Sequence, residues 1–197
     1  MSVVIIDSGF FNLSSIYFSV KRLGYNPIVS FDKNIIKNST KLIFPAFGNS
    51  YSVMKYLYKM NLVKIIKNYK KPILGICSGM HVFFNSREEN KNISMLDIFH
   101  KEYLYKIKAK KFPIFHTGWN KVYFKQKNLL FKNINNGDWF YFIHSYIALI
   151  SSVTIAKTCY ESFFSSAVQK KNFFGVQFHP ELSGNSGMIV LKNFLEI

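Results

Sequence analysis

A chain of 197 residues, 49% of them hydrophobic, is long enough for one domain with a full core, and 1–197 reads as a single domain. No apolar run reaches the roughly 18 to 20 residues of a membrane span, and the opening MSVVIIDSGF carries an aspartate and no basic leader, so neither a membrane segment nor a secretory signal is expected. The formal net charge of +16 raises nucleic acid as a partner, but only Arg22 and Arg87 are arginines; the other 24 basic residues are scattered lysines beside abundant Asn, Ile, Phe and Tyr, so the codon bias of an AT-rich genome explains the charge better, and no nucleic-acid partner is expected.

Residues 3–7 (VVIID) form a nearly continuous apolar run, the pattern of a buried parallel strand. Residues 12–23 are helix-compatible, with Gly24 as a stop. PIVSF (27–31) and KLIF (41–44) read as further strands, and 51–70 as one long helix that ends before Pro72. ILGI (73–76) is the next strand. Residues 87–102 are polar and weakly patterned, so a surface loop is expected there. The second half is richer in strands, with candidates at 103–108, 120–124, 139–145, 153–160, 164–169 and 173–178, and a last helix spans about 185–196. Strand–helix alternation implies an α/β fold with a parallel sheet covered on both faces.

Gly75-Ile76-Cys77-Ser78-Gly79 has the form G-x-C-x-G between a strand and a helix-compatible run. This is the nucleophile-elbow pattern with sulfur in place of oxygen. Flanking glycines let neighbouring strands come close, and the turn lifts the sulfur to the exposed end of the sheet. The N-terminus of the following helix favours thiolate over thiol, and the Ser78 N–H can face a developing oxyanion. A small buried cysteine in a tight turn fits this segment equally well. The two cysteines, Cys77 and Cys159, make no disulfide framework, and a reduced, cytoplasmic compartment is the default.

A thiolate needs a base. His179 follows the strand-like GVQF (175–178), and Pro180 disfavours helix at that position. In an extended segment the side chains at 179 and 181 can point to one side, so Glu181 can bond one imidazole nitrogen and leave the other for Cys77. His-Pro-Glu by itself is more often a plain turn; joined to the cysteine elbow it reads as base and orienter. Among the other histidines, His144 reads as a packed strand-end residue and His116 as structural or site-lining. His81 lies one turn past the nucleophile and can face the pocket, and His100 reads as solvated. Cys159, among apolar strand residues, reads as inert core.

With these residues in place, the chain resembles the class I glutamine amidotransferases, and more narrowly the glutaminase subunits of imidazole glycerol phosphate synthase. IIDSGFFNL (5–13) is similar to the family's opening strand and its D-x-G-x-x-N-L turn, and FPAFGNS (44–50) to its P-G-x-G oxyanion strand. HTGWNKV (116–122) resembles its H-x-G-W-N block, WFYFIHSY (139–146) its F-Y-F-V-H-S-Y block, and 173–195 its final strand and helix. The resemblance implies a three-layer flavodoxin-like fold: a mostly parallel sheet flanked by helices. It implies glutamine as substrate, no metal or organic cofactor, and a heterodimer with a (β/α)8-barrel cyclase subunit that receives the ammonia. It implies Cys77, His179 and Glu181 as the catalytic triad, with N–H groups of Ser78 and of Phe47 or Gly48 on the oxyanion. His81, Ser145 and Tyr146 correspond to positions that hold the substrate. It also implies that the 44–50 strand turns an N–H toward the oxyanion when the partner holds its ligand.

Several positions depart from the family pattern. The family usually has Gln where this chain has His81, Gly where it has Ala46 and Glu161, and Lys where it has Leu182. An E-G-L-G-L stretch is represented by NISMLDI (92–98). Two alternatives remain. One is a glutaminase of another class I system, such as pyridoxal phosphate synthesis, against which HTGWN and YFIHSY argue. The other is a degenerate subunit supporting an ammonia-fed cyclase, against which the joint retention of Cys77, His179 and Glu181 argues.

Overall fold

The computed structural model describes residues 1–7, 9, 13–86, 93–100, 102–108, 110–124 and 128–197. Continuous apolar runs build its centre. β1 (Val3–Ile6) is buried at every position and pairs in parallel with β2 (Ile28–Ser30) and β3 (Lys41–Ala46). β4 (Ile73–Cys77) continues the parallel set beyond β3. The remaining strands are β5 (Asn85–Ser86), β6 (Tyr103–Lys106), β7 (His116–Lys121), β8 (Tyr123–Phe124), β9 (Trp139–His144), β10 (Tyr146–Ala148), β11 (Thr154–Tyr160), β12 (Ser162–Lys170) and β13 (Phe173–Val176). The main sheet runs β2-β1-β3-β4-β13-β12-β11-β8. Its first five strands are parallel and the rest antiparallel. That parallel order is the doubly wound, flavodoxin-like one, as expected.

The helices are α1 (Ser14–Arg22), α2 (Lys33–Asn38), α3 (Ser50–Lys59), α4 (Val63–Lys67), α5 (Ser78–His81) and α6 (Gly184–Glu196). Because strand side chains alternate, the parallel sheet offers an apolar surface on each side. Val3, Ile5, Ile43, Leu74 and Ile76 pack with α1 and α6. Val4, Ile6, Leu42, Phe44 and Ile73 pack with residues of α2, α3, α4 and α5. The result is three layers. Strands β7 and β9 form a separate antiparallel ribbon. In β9, burial alternates so that Phe140, Phe142 and His144 face inward while Trp139 is exposed.

The structure corrects several expectations. The helix expected over 51–70 is two helices, because Asn61 takes φ +54° between them; asparagine enters the left-handed region more readily than most residues. Helix α2 lies in a stretch where the sequence pattern suggests no element. Its signal is Asp32, whose carboxylate accepts from the N–H groups of Asn34 (2.8 Å) and Ile35 (2.9 Å). The polar stretch 87–102 is not wholly a surface loop. Residues 87–92 and 101 lie outside the described residues, but Met95, Leu96 and Phe99 are buried, and the N–H groups of Leu96 and Ile98 donate to the Val82 and Phe83 carbonyls. Cys159 is exposed rather than core: on β11, Ala156 and Thr158 point inward, so 159 points out. Part of the opening turn, residues 8 and 10–12, lies outside the described residues. Among those described, no helix is long and apolar enough to cross a membrane.

Candidate active site

Strands β3, β4 and β13 finish side by side. Ala46 pairs with Cys77, and Val176 with Ile76, so residues after these strands gather at one edge of the sheet. Cys77 itself has φ +53° and ψ −115°. This is a strained conformation for a residue with a Cβ, of a kind that costs of order 1–3 kcal/mol and is held by its surroundings. The surroundings are tight. A Cβ on Gly79 would overlap the Phe44 carbonyl oxygen, and one on Gly75 would come within 2.5 Å of the Gly79 oxygen. The G-x-C-x-G spacing is therefore a packing requirement: the chain after Cys77 must fold back onto β3 and β4 at backbone contact distance. The helix that follows is a single turn, Ser78–His81, too short to supply the dipole of a full helix. The sulfur's electrostatics are set by nearer groups.

Cys77 Sγ lies 3.5 Å from the Ile143 carbonyl oxygen of β9 and 3.8 Å from Gln177 Nε2. His179 Nδ1 is 2.8 Å from Glu181 Oε1, with both side chains at most 1% exposed. The His179 backbone is clamped: its N–H donates to the Tyr141 carbonyl (2.9 Å), and Ser183 Oγ donates to its carbonyl (2.6 Å) while accepting from the Tyr141 N–H (2.9 Å). Burial alone would push the His179 pKa down. The Cys77 thiolate beside it, a hydrogen bond to that sulfur and the Glu181 carboxylate outweigh burial and raise it to about 10. The structure thus brings Cys77, His179 and Glu181 together in the order the sequence suggests: sulfur, ring, carboxylate.

The remaining expected residues fall in two groups. Ser78 Oγ donates to the Gly48 carbonyl at 2.5 Å, tying the elbow to the segment after β3. Gly48 takes φ +85°, and Phe47, 42% exposed, sets its ring 6.3 Å from that of His179. Ser145 and Tyr146 follow β9 two and three residues after Ile143; the Ser145 carbonyl accepts from Ile107 N–H (2.8 Å) and the Tyr146 carbonyl from His144 Nδ1 (2.9 Å). His81 is different. The resemblance puts it at the substrate, yet its side chain is buried and its Nε2 lies 2.7 Å from Gln177 Oε1. Gln177, Tyr141 and Ile143 are absent from the sequence reading. The alternation of β9 and the position of Gln177 two residues before His179 are the signals that could have found them.

Two more buried histidines adjoin the triad. Because His144 Nδ1 donates to the Tyr146 carbonyl, its Nε2 is the acceptor for His116 Nδ1–H at 3.0 Å. His116 Nε2 then accepts from Asn120 Nδ2 at 3.3 Å. Burial lowers His81 and His116 to about 4, and lowers His144 well below its usual value, with His116 and His81 adding to the effect. His100, as expected, is exposed; its Nδ1 lies 3.2 Å from the Asp97 carboxylate.

A buried thiol, an imidazole held against it and a carboxylate behind the ring can carry out acyl transfer through a thioester. Comparison with known proteins agrees with that chemistry. The chain matches the family described as "Glutamine amidotransferase class-I" over residues 4–197. It is 45% identical to the imidazole glycerol phosphate synthase subunit HisH of Buchnera aphidicola subsp. Schizaphis graminum and 46% identical to that of Blochmanniella pennsylvanica, each over 100% of both chains. Its fold is similar to that of a solved glutamine amidotransferase from Thermotoga maritima, with TM-score 0.66 and 16% identity over 100% of this chain and 81% of that one. The G-x-C-x-G elbow, the clamped His179 and the full-length match lead to one conclusion: this chain belongs to the class I glutamine amidotransferases.

Proposed function

We propose that this chain is the glutaminase subunit of imidazole glycerol phosphate synthase, working in histidine biosynthesis. It hydrolyses glutamine to glutamate and ammonia and passes the ammonia to a (β/α)8-barrel cyclase subunit in a cytoplasmic heterodimer. The observation that carries the reading is the ordered contact of Cys77, His179 and Glu181 at the edge of the sheet.

The residues divide the work as follows. The Cys77 thiolate attacks the side-chain amide carbon of glutamine, and a C–S bond forms. The first residue of a helix has no helical acceptor for its N–H, so the Ser78 N–H can take the oxyanion. The Phe47 or Gly48 N–H is the second donor. His179, protonated at neutral pH, gives its proton to the departing nitrogen as the C–N bond breaks, and ammonia leaves. The sulfur is now neutral in a thioester, so the strongest influence raising the ring's pKa is gone. Burial then makes the imidazole a base that takes a proton from water, and the water oxygen cleaves the thioester to glutamate. Glu181 keeps the ring in place throughout. Ser145 and Tyr146, just past Ile143, hold the amino-acid end of glutamine. The cyclase subunit docks over exposed Phe47, Trp119 and Leu182, which ring this edge at 42%, 52% and 41% exposure. The test is turnover by the complex reconstituted with its barrel subunit, fed by glutamine or by ammonium salt. Cys77→Ala should abolish the first and spare the second. Loss of both would make Cys77 a structural residue and sink the assignment.

A further inference from the structure

The sulfur of Cys77 has a neighbour that the triad does not explain. Gln177 is fully buried, its backbone N–H donates to the Ser166 carbonyl at 2.9 Å, and its side chain spans from His81 to Cys77. Oε1 meets His81 Nε2 at 2.7 Å, and Nε2 meets Cys77 Sγ at 3.8 Å. A glutamine amide has two nearly isosteric orientations, and they do opposite things to a thiolate. With N–H toward sulfur it stabilises the negative charge; flipped, it presents a carbonyl oxygen to that charge. Something must choose between them.

We propose that His81 makes the choice: it is a positioning residue that locks the Gln177 amide with its N–H on the Cys77 sulfur. The inference rests on the assignment of Cys77 as nucleophile. With the Nε2–H tautomer that the proposal assigns to His81, the ring N–H donates across the 2.7 Å contact and fits only a carbonyl partner; the flipped amide would set N–H against N–H. Burial keeps His81 neutral at working pH, so the ring carries a single proton to commit. The groups facing the sulfur are then Gln177, the Ile143 carbonyl and His179 with Glu181 behind it, while His144 and His116 lie beyond as further neutral rings. The device belongs to this chain's own residue at 81, where the family resemblance implies a glutamine that holds substrate. With Nε2 committed to Gln177, His81 serves the nucleophile instead.

The experiment reads Cys77 directly. Iodoacetamide alkylation of the full chain is followed by mass spectrometry of the Cys77 peptide at pH 7 and pH 10, with exposed Cys159 as internal reference. It needs neither glutamine nor the partner, so its outcome is separate from that of the reaction assigned above. Loss of a hydrogen bond to a charged group predicts that His81→Leu slows Cys77 alkylation about tenfold at pH 7, and by much less at pH 10. Glutamine turnover should show the same split: kcat about tenfold lower, KM within about twofold. His81→Gln, which can also donate to Oε1, should recover most of both. A rise in KM with the alkylation rate unmoved would return His81 to a substrate contact and overturn the proposal. Should His81→Leu fail to fold, nitrogen-15 spectra of the wild-type ring decide: the proposal requires the neutral Nε2–H form at pH 7, and an Nδ1–H form sinks it.

Discussion

Two groups of buried histidine lie next to each other and settle in opposite charge states. At the triad, His179 is 1% exposed and holds its proton up to about pH 10. In the ribbon of β7 and β9, His116 and His144 are 3% and 4% exposed and stay neutral, His116 down to about pH 4. Burial is nearly the same, so burial does not set the charge. What differs is the partner. His179 meets a thiolate and a carboxylate; His144 meets a carbonyl and another ring. One arrangement holds a proton on the ring beside the sulfur. The other is a ladder of neutral donors and acceptors that fixes the backbone of 144–146 where substrate is proposed to lie.

The largest effect that breaks this contrast is on turnover. His179→Ala removes the stored proton and should cut glutamine-dependent kcat by about 10²- to 10⁴-fold, the usual worth of a general acid–base group. Glu181→Gln keeps an acceptor for Nδ1–H but removes the charge, so its loss should be smaller. It should also move the alkaline limb of the kcat/KM profile to lower pH, since one of the groups holding His179 near 10 is gone. If Glu181→Gln proves worse than His179→Ala, Glu181 is more than an orienter.

The same contrast predicts a stability curve with two limbs. His81, His116 and His144 have folded pKa values below the unfolded value of about 6.5. Between pH 6.5 and about 4 the unfolded chain binds more protons, so stability is full above 6.5 and is lost on acidification. His179 has a folded pKa above 6.5, so between 6.5 and about 10 the folded chain binds more protons. Its contribution is full below 6.5 and is lost as pH rises. Urea unfolding across pH should therefore give a maximum near 6.5. For fully buried His81 alone, the shift to about 4 corresponds to about 3 kcal/mol at the acid end. Cys77→Ala should flatten the alkaline limb and leave the acid limb. An alkaline limb unchanged in Cys77→Ala would show that the thiolate does not hold the proton on His179.

Much of the triad corner was legible in the sequence because its signals are local. G-x-C-x-G marks a turn that needs missing Cβ atoms on both sides, and His-Pro-Glu marks an extended segment with its own orienter two residues on. The parallel strands were legible for the same reason, as short continuous apolar runs. The ribbon was not. The expected strand at 120–124 begins instead at His116, because H-T-G-W-N alternates with a glycine at φ +125° in its middle. The Gln177 bridge joins residues 96 and 100 positions apart, and no periodicity reports a contact at that range. The misreading of Cys159 came from counting apolar neighbours rather than strand parity.

A smaller effect tests the strand beside the triad. Ala46 lies in β3 opposite Cys77, buried and extended, while the left-handed backbone falls at Gly48. The family resemblance puts a glycine at 46. If turning an N–H of this segment toward the oxyanion needs φ > 0 at 46, alanine adds roughly 1 to 2 kcal/mol to that state. Its population then falls about five- to thirtyfold. Ala46→Gly should raise basal glutamate release by the ligand-free complex by up to that factor. Unchanged or lower release would mean that the active arrangement keeps position 46 extended.

The smallest effect tests what supports the ladder from outside. Tyr160 stacks on His116 with ring centroids 4.0 Å apart, and its hydroxyl donates to the Pro113 carbonyl. The next residue, Glu161, has φ +59°, and its carboxylate accepts from the N–H groups of Lys110, Lys111 and Phe112 at 3.1, 2.5 and 3.0 Å. The N–H of Lys111 leads those that hold the carboxyl below its usual range, so the strap stays charged above the ordinary carboxylate pKa and loosens only as pH falls below it. A residue with a Cβ is strained at this φ, and the three bonds offset that strain. The two contributions separate in two variants. Glu161→Ala keeps the strain and loses the bonds; Glu161→Gly loses both. Melting temperature should therefore drop by a few degrees in Glu161→Ala and by less in Glu161→Gly. Because the three bonds of half-buried Glu161 lie at the surface, the drop should shrink in high salt. Turnover should stay within about twofold, since the strap touches the ladder and not the triad. Equal drops for the two variants would show that the backbone angle at 161 contributes nothing, and no drop in Glu161→Ala would show the same of the three bonds.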